Sequence, residues 1–184
     1  MMVLKIKDQK VDELAKLIKK GGVVVCPTDT VYGLICDAKN KKAVTRIYLI
    51  KKRTKNKPLP VFVRNIAMAK TLVKIDKDQE GFLKKVWPGA VTVILKSKNR
   101  QGTIGIRIPN HKFVLNLVKR AGPLAETSAN ISGQPSTTKI REVLRYFKGR
   151  KYQPDLVLNA GDLKPANPSQ IIDLTGLEPV ILRK

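Results

Sequence analysis

The sequence predicts an α/β fold, a mixed sheet with helices packed on it. Strand and helix patterns alternate in the first part of the chain, whereas strand patterns cluster towards its end. A hydrophobic share of 42% with 28% charged residues is typical of a globular chain. A length of 184 residues favours one domain spanning 1–184, and no internal repeat, low-complexity tract or Gly/Ser linker interrupts it.

The first elements follow from the apolar pattern. Residues 3–6 predict a short strand, and Asp8 is placed to cap a helix whose apolar face runs over 11–18. Residues 23–26 are continuously apolar, which is typical of a strand buried on both faces. Asn40 is then expected to begin a second helix.

The same patterns predict the remaining elements. Strands are expected at 60–63, 91–96, 104–108, 123–127, 155–158, 170–174 and 179–182, and helices at 65–73, 78–86, 112–121 and 138–148. The helix at 138–148 has the clearest amphipathic pattern, because its apolar residues recur with a period of about 3.6. Three cations, Arg141, Arg145 and Lys148, share another face of it.

The charge is strongly positive. The chain has 37 Lys and Arg against 14 Asp and Glu, a formal net charge of +23 at pH 7. Such an excess indicates polyanionic partners: nucleic acid, nucleotide phosphates or both. No apolar run approaches the roughly 18–20 residues that a membrane span needs, and the N-terminal segment lacks the apolar core of a signal peptide. We therefore expect a cytoplasmic protein with no membrane partner.

The sequence lacks the residue patterns of several common metal sites and nucleotide-binding loops. His111 is the single histidine, and Cys26 and Cys36 lie ten residues apart, so no paired-histidine or CxxC metal site is predicted. There is neither a Walker A sequence nor a GxGxxG sequence. We expect His111 to be a structural hydrogen-bonding residue rather than a general base, and the cysteines to be small apolar residues.

Two polar segments follow predicted strands. Residues 27–34 (PTDTVYGL) come directly after a buried strand, where open α/β sheets place ligands. The alternative is an ordinary turn in which Thr28 and Asp29 bond local backbone. Residues 127–133 (TSANISG) offer small hydroxyl and amide groups, and a helix cap or a polar loop is the alternative there. The pattern leaves both alternatives open.

Two groups of cations suggest anion binding. Five cations crowd one loop: Lys51, Lys52, Arg53, Lys55 and Lys57. They repel one another unless an anion such as a triphosphate or the solvent relieves them. Arg107 lies in a predicted strand rich in β-branched residues, and its side chain points to the same face as Gly105. Because an unpaired charge on the inner face of a sheet is costly, Arg107 needs an anionic partner. With 14 acids in the chain, a ligand carboxylate or phosphate is favoured over an internal salt bridge.

Five short sequence motifs, in the order in which they occur along this chain, resemble those of the YrdC-type threonylcarbamoyl-AMP synthases. They are PTDTVYGL at 27–34, Lys51-x-Arg53 with KPL at 57–59, GIRIPNH at 105–111, SANISG at 128–133 and NPSQIID at 167–173. The resemblance runs from about residue 8 to 184 and implies the short, single-domain form. It also implies a twisted α/β fold with a concave basic cleft.

The resemblance implies a reaction and its partners. ATP, L-threonine and bicarbonate would condense to threonylcarbamoyl-AMP and pyrophosphate, with Mg²⁺ arriving on ATP rather than in a dedicated protein site. Downstream threonylcarbamoyl transferase machinery would then modify adenosine 37 of tRNAs that read ANN codons.

The resemblance also implies site residues. By position, those for threonine are Thr30, Arg107, Ser128 and Ser169, and those for ATP are Arg53, Lys57, Thr103, Asn130, Thr138 and Arg183. Lys51 and Arg53 are the pair associated with catalysis. Phe62 departs from the pattern, because longer members have His there and one threonine contact is then missing.

Two other functions compete with this one. A non-catalytic module of the same fold that binds double-stranded RNA or tRNA would use the charge, with Arg141, Arg145 and Lys148 as its surface. Against it, the chain has few aromatic residues (5%) and neither an aromatic RNP motif nor a GXXG loop. A hydrolase or maturation factor acting on carbamoyl phosphate chemistry would need an additional zinc or acylphosphatase region. RNA contact is compatible with the synthase.

Overall fold

A computed structural model of the protein describes residues 1–8, 10–54, 56–99 and 101–184. In this part of the chain the strands are β1 (Met2–Lys5), β2 (Val24–Cys26), β3 (Gly33–Asp37), β4 (Val61–Phe62), β5 (Val91–Lys96), β6 (Thr103–Arg107), β7 (Leu124–Ser128), β8 (Leu156–Asn159), β9 (Gln170–Asp173) and β10 (Val180–Arg183). The helices are α1 (Val11–Lys19), α2 (Lys41–Lys51), α3 (Ile66–Leu72), α4 (Lys77–Val86), α5 (Lys112–Ala121) and α6 (Ile140–Phe147), and Ile6–Asp8 is a short 3-10 turn.

The described strands form one sheet in the order β1-β8-β2-β3-β7-β4-β6-β5-β9-β10. The pairs β1–β8, β2–β8, β4–β6 and β5–β9 are parallel, and the other neighbours are antiparallel. The predicted α/β class with a mixed sheet is therefore confirmed. The single-domain prediction for 1–184 stays a prediction.

One of the two predicted capping residues, Asn40, caps its helix, and an unpredicted cap is present at Asp76. The side chain of Asn40 accepts a hydrogen bond from the backbone N–H of Ala43 at the start of α2. Asp76 and Gln79 form a reciprocal capping box at the start of α4. The prediction for Asp8 was wrong, because α1 begins at Val11 with Lys10 in the N-cap position and Asp8 belongs to the preceding 3-10 turn.

Strand β3 is absent from the sequence-based prediction. Gly33–Asp37 pairs antiparallel with β2 on one side and with β7 on the other. It directly follows a segment rich in turn formers, and no element was predicted for its apolar Leu-Ile-Cys run. The consequence concerns the site: residues 27–32 become the connection of a β2–β3 hairpin, and Gly33 lies opposite Ser128 at the end of β7.

Three apolar clusters hold the helices on the sheet. On the β2, β3, β7 and β8 region, α2 and α6 pack against one face through residues such as Ile47 and Phe147. On the opposite face α1 and α5 pack through Leu14 and Leu117. The third cluster joins α3 and α4 to β4, β5, β6 and β9 and includes the fully buried Leu83. In this second region α3 and α4 cover one face of the sheet, and alternate residues such as Thr92, Gly105 and Arg107 on the other face are left to line a cavity.

Both cysteines lie in the protein core. Cys26 and Cys36 are free thiols and both are buried. Burial raises the pKa of Cys26 far above the usual thiol range and that of Cys36 to about 12, so neither is a nucleophile at neutral pH.

Within the described ranges no helix is long and apolar enough to cross a membrane. In the same ranges no group of three or more His, Cys, Asp or Glu is placed to hold a metal ion.

Candidate active site

A cavity of about 390 Å³ opens where strands from both halves of the sheet come together. Its wall comes from β5, β6, β7, β9 and β10, from the loop after α2, and from the β2–β3 connection. Eight of the predicted site residues line it: Thr30, Arg53, Lys57, Thr103, Arg107, Ser128, Ser169 and Arg183. The fold therefore brings together residues that are far apart in sequence, although their individual roles stay predictions.

Arg107 has an internal partner. Its side chain is 2% exposed, and its Nη2 donates to Asp29 Oδ1 at 2.7 Å. Its Nε donates to the carbonyl oxygen of Gly89 at 2.9 Å, and its Nη1 donates to Thr30 Oγ1 at 3.3 Å. The preference for a ligand anion over an internal salt bridge as the partner of Arg107 was therefore wrong, because the salt bridge to Asp29 is present. Arg107 nonetheless lines the cavity.

The β2–β3 connection is held by hydroxyl and carboxylate groups. Thr28 Oγ1 donates to the carbonyl oxygen of Val31 at 2.7 Å, which is the local turn bonding expected of the alternative reading. Asp29 behaves differently, since its Oδ2 accepts from the backbone N–H of Asn110 at 2.9 Å in addition to the bond from Arg107. Through Asp29 the turn is fastened to β6 and to the segment after it.

Phe62 occupies the position where longer relatives of the resembled family have His. Its ring is fully buried, and the guanidinium carbon of Arg107 lies 5.7 Å from the ring centroid. A cation at this distance is attracted by the negative face of the ring. Phe62 thus packs under Arg107 and offers no hydrogen bond at this place.

Lys51 lies behind the cavity wall rather than on it. The side chain is 2% exposed, and its ammonium donates to the carbonyl oxygens of Ser128 and Asn130 and to Asn130 Oδ1. Those bonds use all three of its N–H donors. Burial, together with the positive charge of Arg53, lowers the pKa of Lys51 to about 7, while the negative charge of Glu126 acts in the opposite direction. Its position is that of a clamp on the 128–130 loop.

Asn130 shares this arrangement. It is 6% exposed, and Ser128 Oγ donates to its Oδ1 at 2.6 Å. Its side-chain nitrogen donates to the carbonyl oxygens of Ile131 and Gln134. Neither Lys51 nor Asn130 is among the residues that line the cavity. Both therefore shape the loop that presents Ser128.

Thr138 lies apart from the cavity. It lines a separate hollow together with neighbours that include Thr137, Lys139 and Asn167. The structure does not bring Thr138 next to the other residues predicted for ATP. Its assignment to ATP stays a prediction.

The basic loop after α2 is folded on itself. Arg53 Nε donates to the carbonyl oxygen of Lys57 at 2.9 Å, and its Nη2 donates to that of Pro58 at 3.2 Å. Arg53 is half-buried and Lys57 is exposed. Lys55 lies outside the described residues. Arg53 and Lys57 therefore line the cavity from one loop, whose shape Arg53 helps to fix.

The far wall is formed by the C-terminal strands. Ser169 is 5% exposed, and its Oγ lies 2.9 Å from Thr92 Oγ1. Arg183 Nε donates to the carbonyl oxygen of Ser169 at 2.9 Å. Burial lowers the pKa of Arg183, and the charge of Glu126 raises it in opposition. The pairing of β9 with β10 thus places Ser169 and Arg183 side by side.

Glu126 is a cavity residue that the sequence reasoning missed. It lies in the middle of β7, is 9% exposed and lines the cavity. Burial raises its pKa, while the charges of Arg107, Arg183 and Lys51 lower it, and Asp29 raises it slightly. The signal was available: an acid within an apolar strand is as unexpected as Arg107, and the same argument applied to Leu124–Ser128 would have singled it out.

His111 has the structural role expected of it. It is the N-cap of α5, where its Nδ1 accepts a hydrogen bond from the backbone N–H of Val114 at 3.4 Å. Burial lowers its pKa, which favours the neutral form that such an acceptor requires. It is not among the residues that line the cavity.

Comparison with known proteins now decides the family. The family model for Sua5, YciO and YrdC proteins, described as "Telomere recombination", matches residues 16–184. The chain belongs to the Sua5/YciO/YrdC family. The family model covers every strand of the cavity wall, from β5 to β10.

Relatives within the Sua5/YciO/YrdC family carry one recurring name. The Pyrococcus abyssi threonylcarbamoyl-AMP synthase is 33% identical over 97% of this chain and 55% of its own length. The Pseudomonas fluorescens protein of that name is 33% identical over 92% of this chain and 95% of its own. The Bacillus subtilis protein of the same name is 37% identical but is covered over 46% of its length. The chain thus spans about half the length of the Pyrococcus and Bacillus relatives and nearly all of the Pseudomonas one.

Solved structures of the family share the fold. Pyrococcus abyssi Sua5 complexed with L-threonine superimposes with a TM-score of 0.88 at 32% identity, over 99% of this chain and 56% of that one. Escherichia coli YciO gives a TM-score of 0.85 at 28% identity, over 95% of this chain and 88% of that one. The twisted α/β fold implied by the sequence resemblance is therefore confirmed, and the basic character of its cleft stays a prediction.

Proposed function

We propose that the protein is a threonylcarbamoyl-AMP synthase, which joins L-threonine, bicarbonate and ATP and releases pyrophosphate. One observation carries the proposal: all four residues expected to bind threonine and four of the six expected to bind ATP line the same cavity. The relatives' names support it, and so does the threonine complex of Pyrococcus abyssi Sua5. The non-catalytic RNA-binding alternative gains no support from these relatives.

The chemistry requires no nucleophile from the protein. The amine of threonine first becomes a carbamate, and a carbamate oxygen then attacks the α-phosphorus of ATP. The bond from that phosphorus to the bridging oxygen breaks, and pyrophosphate leaves with its electron pair. Catalysis would therefore rest on holding two anions together and on neutralising the leaving group, a role that we assign to Arg53, Lys57 and Arg183 because all three line the cavity.

Mg²⁺ is proposed to arrive with ATP. Among the described residues that line the cavity, Glu126 is the one carboxylate, and the charges of Arg107, Arg183 and Lys51 act on it. Three cations disfavour a divalent ion at that carboxylate. The phosphates of ATP and water would therefore supply the oxygen ligands, and the ion would neutralise phosphate charge.

The experiment that tests the proposal is an omission assay. Pyrophosphate release is measured with ATP and Mg²⁺ while threonine and bicarbonate are left out in turn. We expect release only when both are present, with serine a poorer substrate. Release of equal rate without threonine would contradict the proposal.

The wider partners are proposals too. Threonylcarbamoyl-AMP is a mixed anhydride, so a separate transferase must pass its acyl group to tRNA, and we propose that both reactions take place in the cytoplasm. We further propose that tRNA or another structured RNA binds the α6 surface, made of Arg141, Arg145 and Lys148. All three are exposed, while Val143 and Phe147 commit the opposite face to the core.

A further inference from the structure

Glu126 faces the cavity without a hydrogen-bonding partner of its own in the described residues. Its backbone N–H bonds the carbonyl oxygen of Pro60, which fixes the strand, but its carboxylate takes part in none of the side-chain hydrogen bonds or ion pairs that the described residues form. The side chain is 9% exposed, and what remains exposed faces the cavity. A buried carboxylate in this state costs free energy unless something meets it.

The neighbouring cations direct their hydrogen bonds elsewhere. Arg107 bonds Asp29, Gly89 and Thr30, and Arg183 bonds Ser169. Lys51 uses its donors on the 128–130 loop. These cations act on Glu126 through charge alone, so its oxygens are free to accept a hydrogen bond from a ligand in the cavity.

The ligand group that suits these oxygens is an amine. Ser128, which is assigned to threonine, follows Glu126 two residues later on the same face of β7, and both residues line the cavity. Glu126 therefore lies at the end of the cavity assigned to threonine rather than at the basic loop of Arg53 and Lys57. Threonine brings an ammonium group to that end, and an ammonium group pairs with a carboxylate.

We propose that Glu126 is the proton acceptor for the amine of threonine during carbamate formation. This rests on the proposed function. The ammonium gives one proton to the Glu126 carboxylate, and the freed amine attacks the carbon of bicarbonate. A C–N bond forms and water leaves, so ammonium plus bicarbonate gives carbamate, water and one proton, which resides on Glu126 and later passes to solvent.

The surroundings suit a base of this kind. Burial raises the pKa of Glu126, and Asp29 adds to that effect, while Arg107, Arg183 and Lys51 oppose it. A higher pKa makes the carboxylate a stronger proton acceptor. The rate of carbamate formation should therefore rise with pH as Glu126 loses its proton, and a variant without the carboxylate should lose that rise.

The test compares the two directions of the reaction in wild type and Glu126→Gln. The forward assay starts from threonine, bicarbonate, ATP and Mg²⁺ at a series of pH values. The reverse assay starts from threonylcarbamoyl-AMP and pyrophosphate and measures ATP, a step that needs no proton transfer at the amine. Glu13→Gln, at an exposed position of α1, is the matched control.

We expect Glu126→Gln to slow the forward reaction by about 10²-fold or more, the lower end of what general acid–base catalysis contributes. Its reverse reaction should run at the wild-type rate, its forward pH profile should be flat on the acid side, and its Mg²⁺ requirement should be unchanged. In Glu126→Ala, added formate should restore forward activity in proportion to its concentration.

Different failures have different meanings. A wild type that forms no threonylcarbamoyl-AMP would overturn the proposed function itself. A wild-type forward rate in Glu126→Gln would overturn the proton-acceptor role alone. Equal loss in both directions, or a raised Mg²⁺ requirement, would also overturn it, because Glu126 would then shape the site or bind the ion. If Glu126→Gln does not fold, formate rescue of Glu126→Ala decides.

Discussion

Arg107 donates a hydrogen bond to Asp29 across 2.7 Å and 78 residues of sequence. Asp29 also accepts from the backbone N–H of Asn110, so one carboxylate joins the β2–β3 connection to β6 and to the segment that follows it. Arg107 lines the cavity, with the Phe62 ring packed beneath its guanidinium. The strength of the Arg107–Asp29 pair therefore governs both the stability of the fold and the shape of the site.

Loss of the Asp29 carboxylate should destabilise the protein strongly. Asp29→Asn leaves the Arg107 charge buried without its counter-ion, which typically costs about 3–5 kcal/mol. The matched control is Asp12→Asn, which removes the exposed pair of Asp12 with Arg120 and should cost about 1 kcal/mol or less. Denaturant unfolding measures both, and equal losses in the two variants would show that the buried pair contributes nothing special.

Lys51→Met should impair activity through the 128–130 loop. The three acceptors of its ammonium lose their donor, so we expect Ser128 to be misplaced and the KM for threonine to rise. Lys42→Met, at an exposed position of the same helix, is the control. Activity of Lys51→Met equal to that of the control would contradict a clamping role.

Stability should depend on pH through the same side chain. The pKa of Lys51 falls from its usual value of 10.5 to about 7 in the folded protein. Between these values the unfolded chain binds the proton more tightly, so the lysine's contribution to stability rises with pH above about 7. The Tm of wild type minus that of Lys51→Met should therefore increase from pH 7 to pH 10, and a constant difference would contradict the lowered pKa.

Arg53→Ala and Ser128→Ala should fail in different ways. Arg53 holds the basic loop and lines the cavity, so its loss should weaken ATP binding and slow the chemical step. Losing a hydrogen bond to a charged group costs about 1.5–3 kcal/mol, or roughly ten- to a hundredfold in rate. Ser128→Ala should mainly raise the KM for threonine. Steady-state kinetics with each substrate varied checks this, and a reversal of the two effects would reverse the assignment.

The α6 surface should bind RNA by charge. We expect weak binding that is insensitive to base sequence and that falls with salt, with a log–log slope of about −0.7 to −0.9 per phosphate contacted. Replacing Arg141, Arg145 and Lys148 with Glu should reduce that slope by about three contacts and leave pyrophosphate release unchanged. The control replaces three exposed cations of the α1 region, Lys16, Lys19 and Lys20, with Glu. An RNA affinity unchanged by the α6 variant would refute this surface.

The elements with a clear period were predictable from the sequence. Residues 91–96 and 112–121 were predicted with the bounds that β5 and α5 have in the structure. Strand β3 was missed because local pattern favours a turn over 27–34, whereas pairing with β2 and β7 makes 33–37 a central strand. Pairing partners that are distant in sequence decide such a segment, and a local pattern does not contain them.

The site was predictable in its composition and less so in its connections. Eight of the residues predicted from the sequence motifs line one cavity. The sequence did not show that Arg107 is paired with Asp29 or that the Lys51 ammonium is bonded behind the cavity wall. Both facts depend on which strands lie side by side. Glu126 was missed for another reason: the argument that an unexpected charge in a strand needs a partner was applied to a cation and not to an acid.

The most direct test of the central claim uses ¹³C-labelled bicarbonate. The wild-type protein is incubated with this bicarbonate, ATP, Mg²⁺ and threonine, and the masses of the nucleotide products are measured by mass spectrometry. The proposed function predicts an adenylate that contains threonine and one labelled carbon and that is absent when threonine is omitted. An adenylate of threonine without the label, or AMP and pyrophosphate formed without threonine, would contradict it.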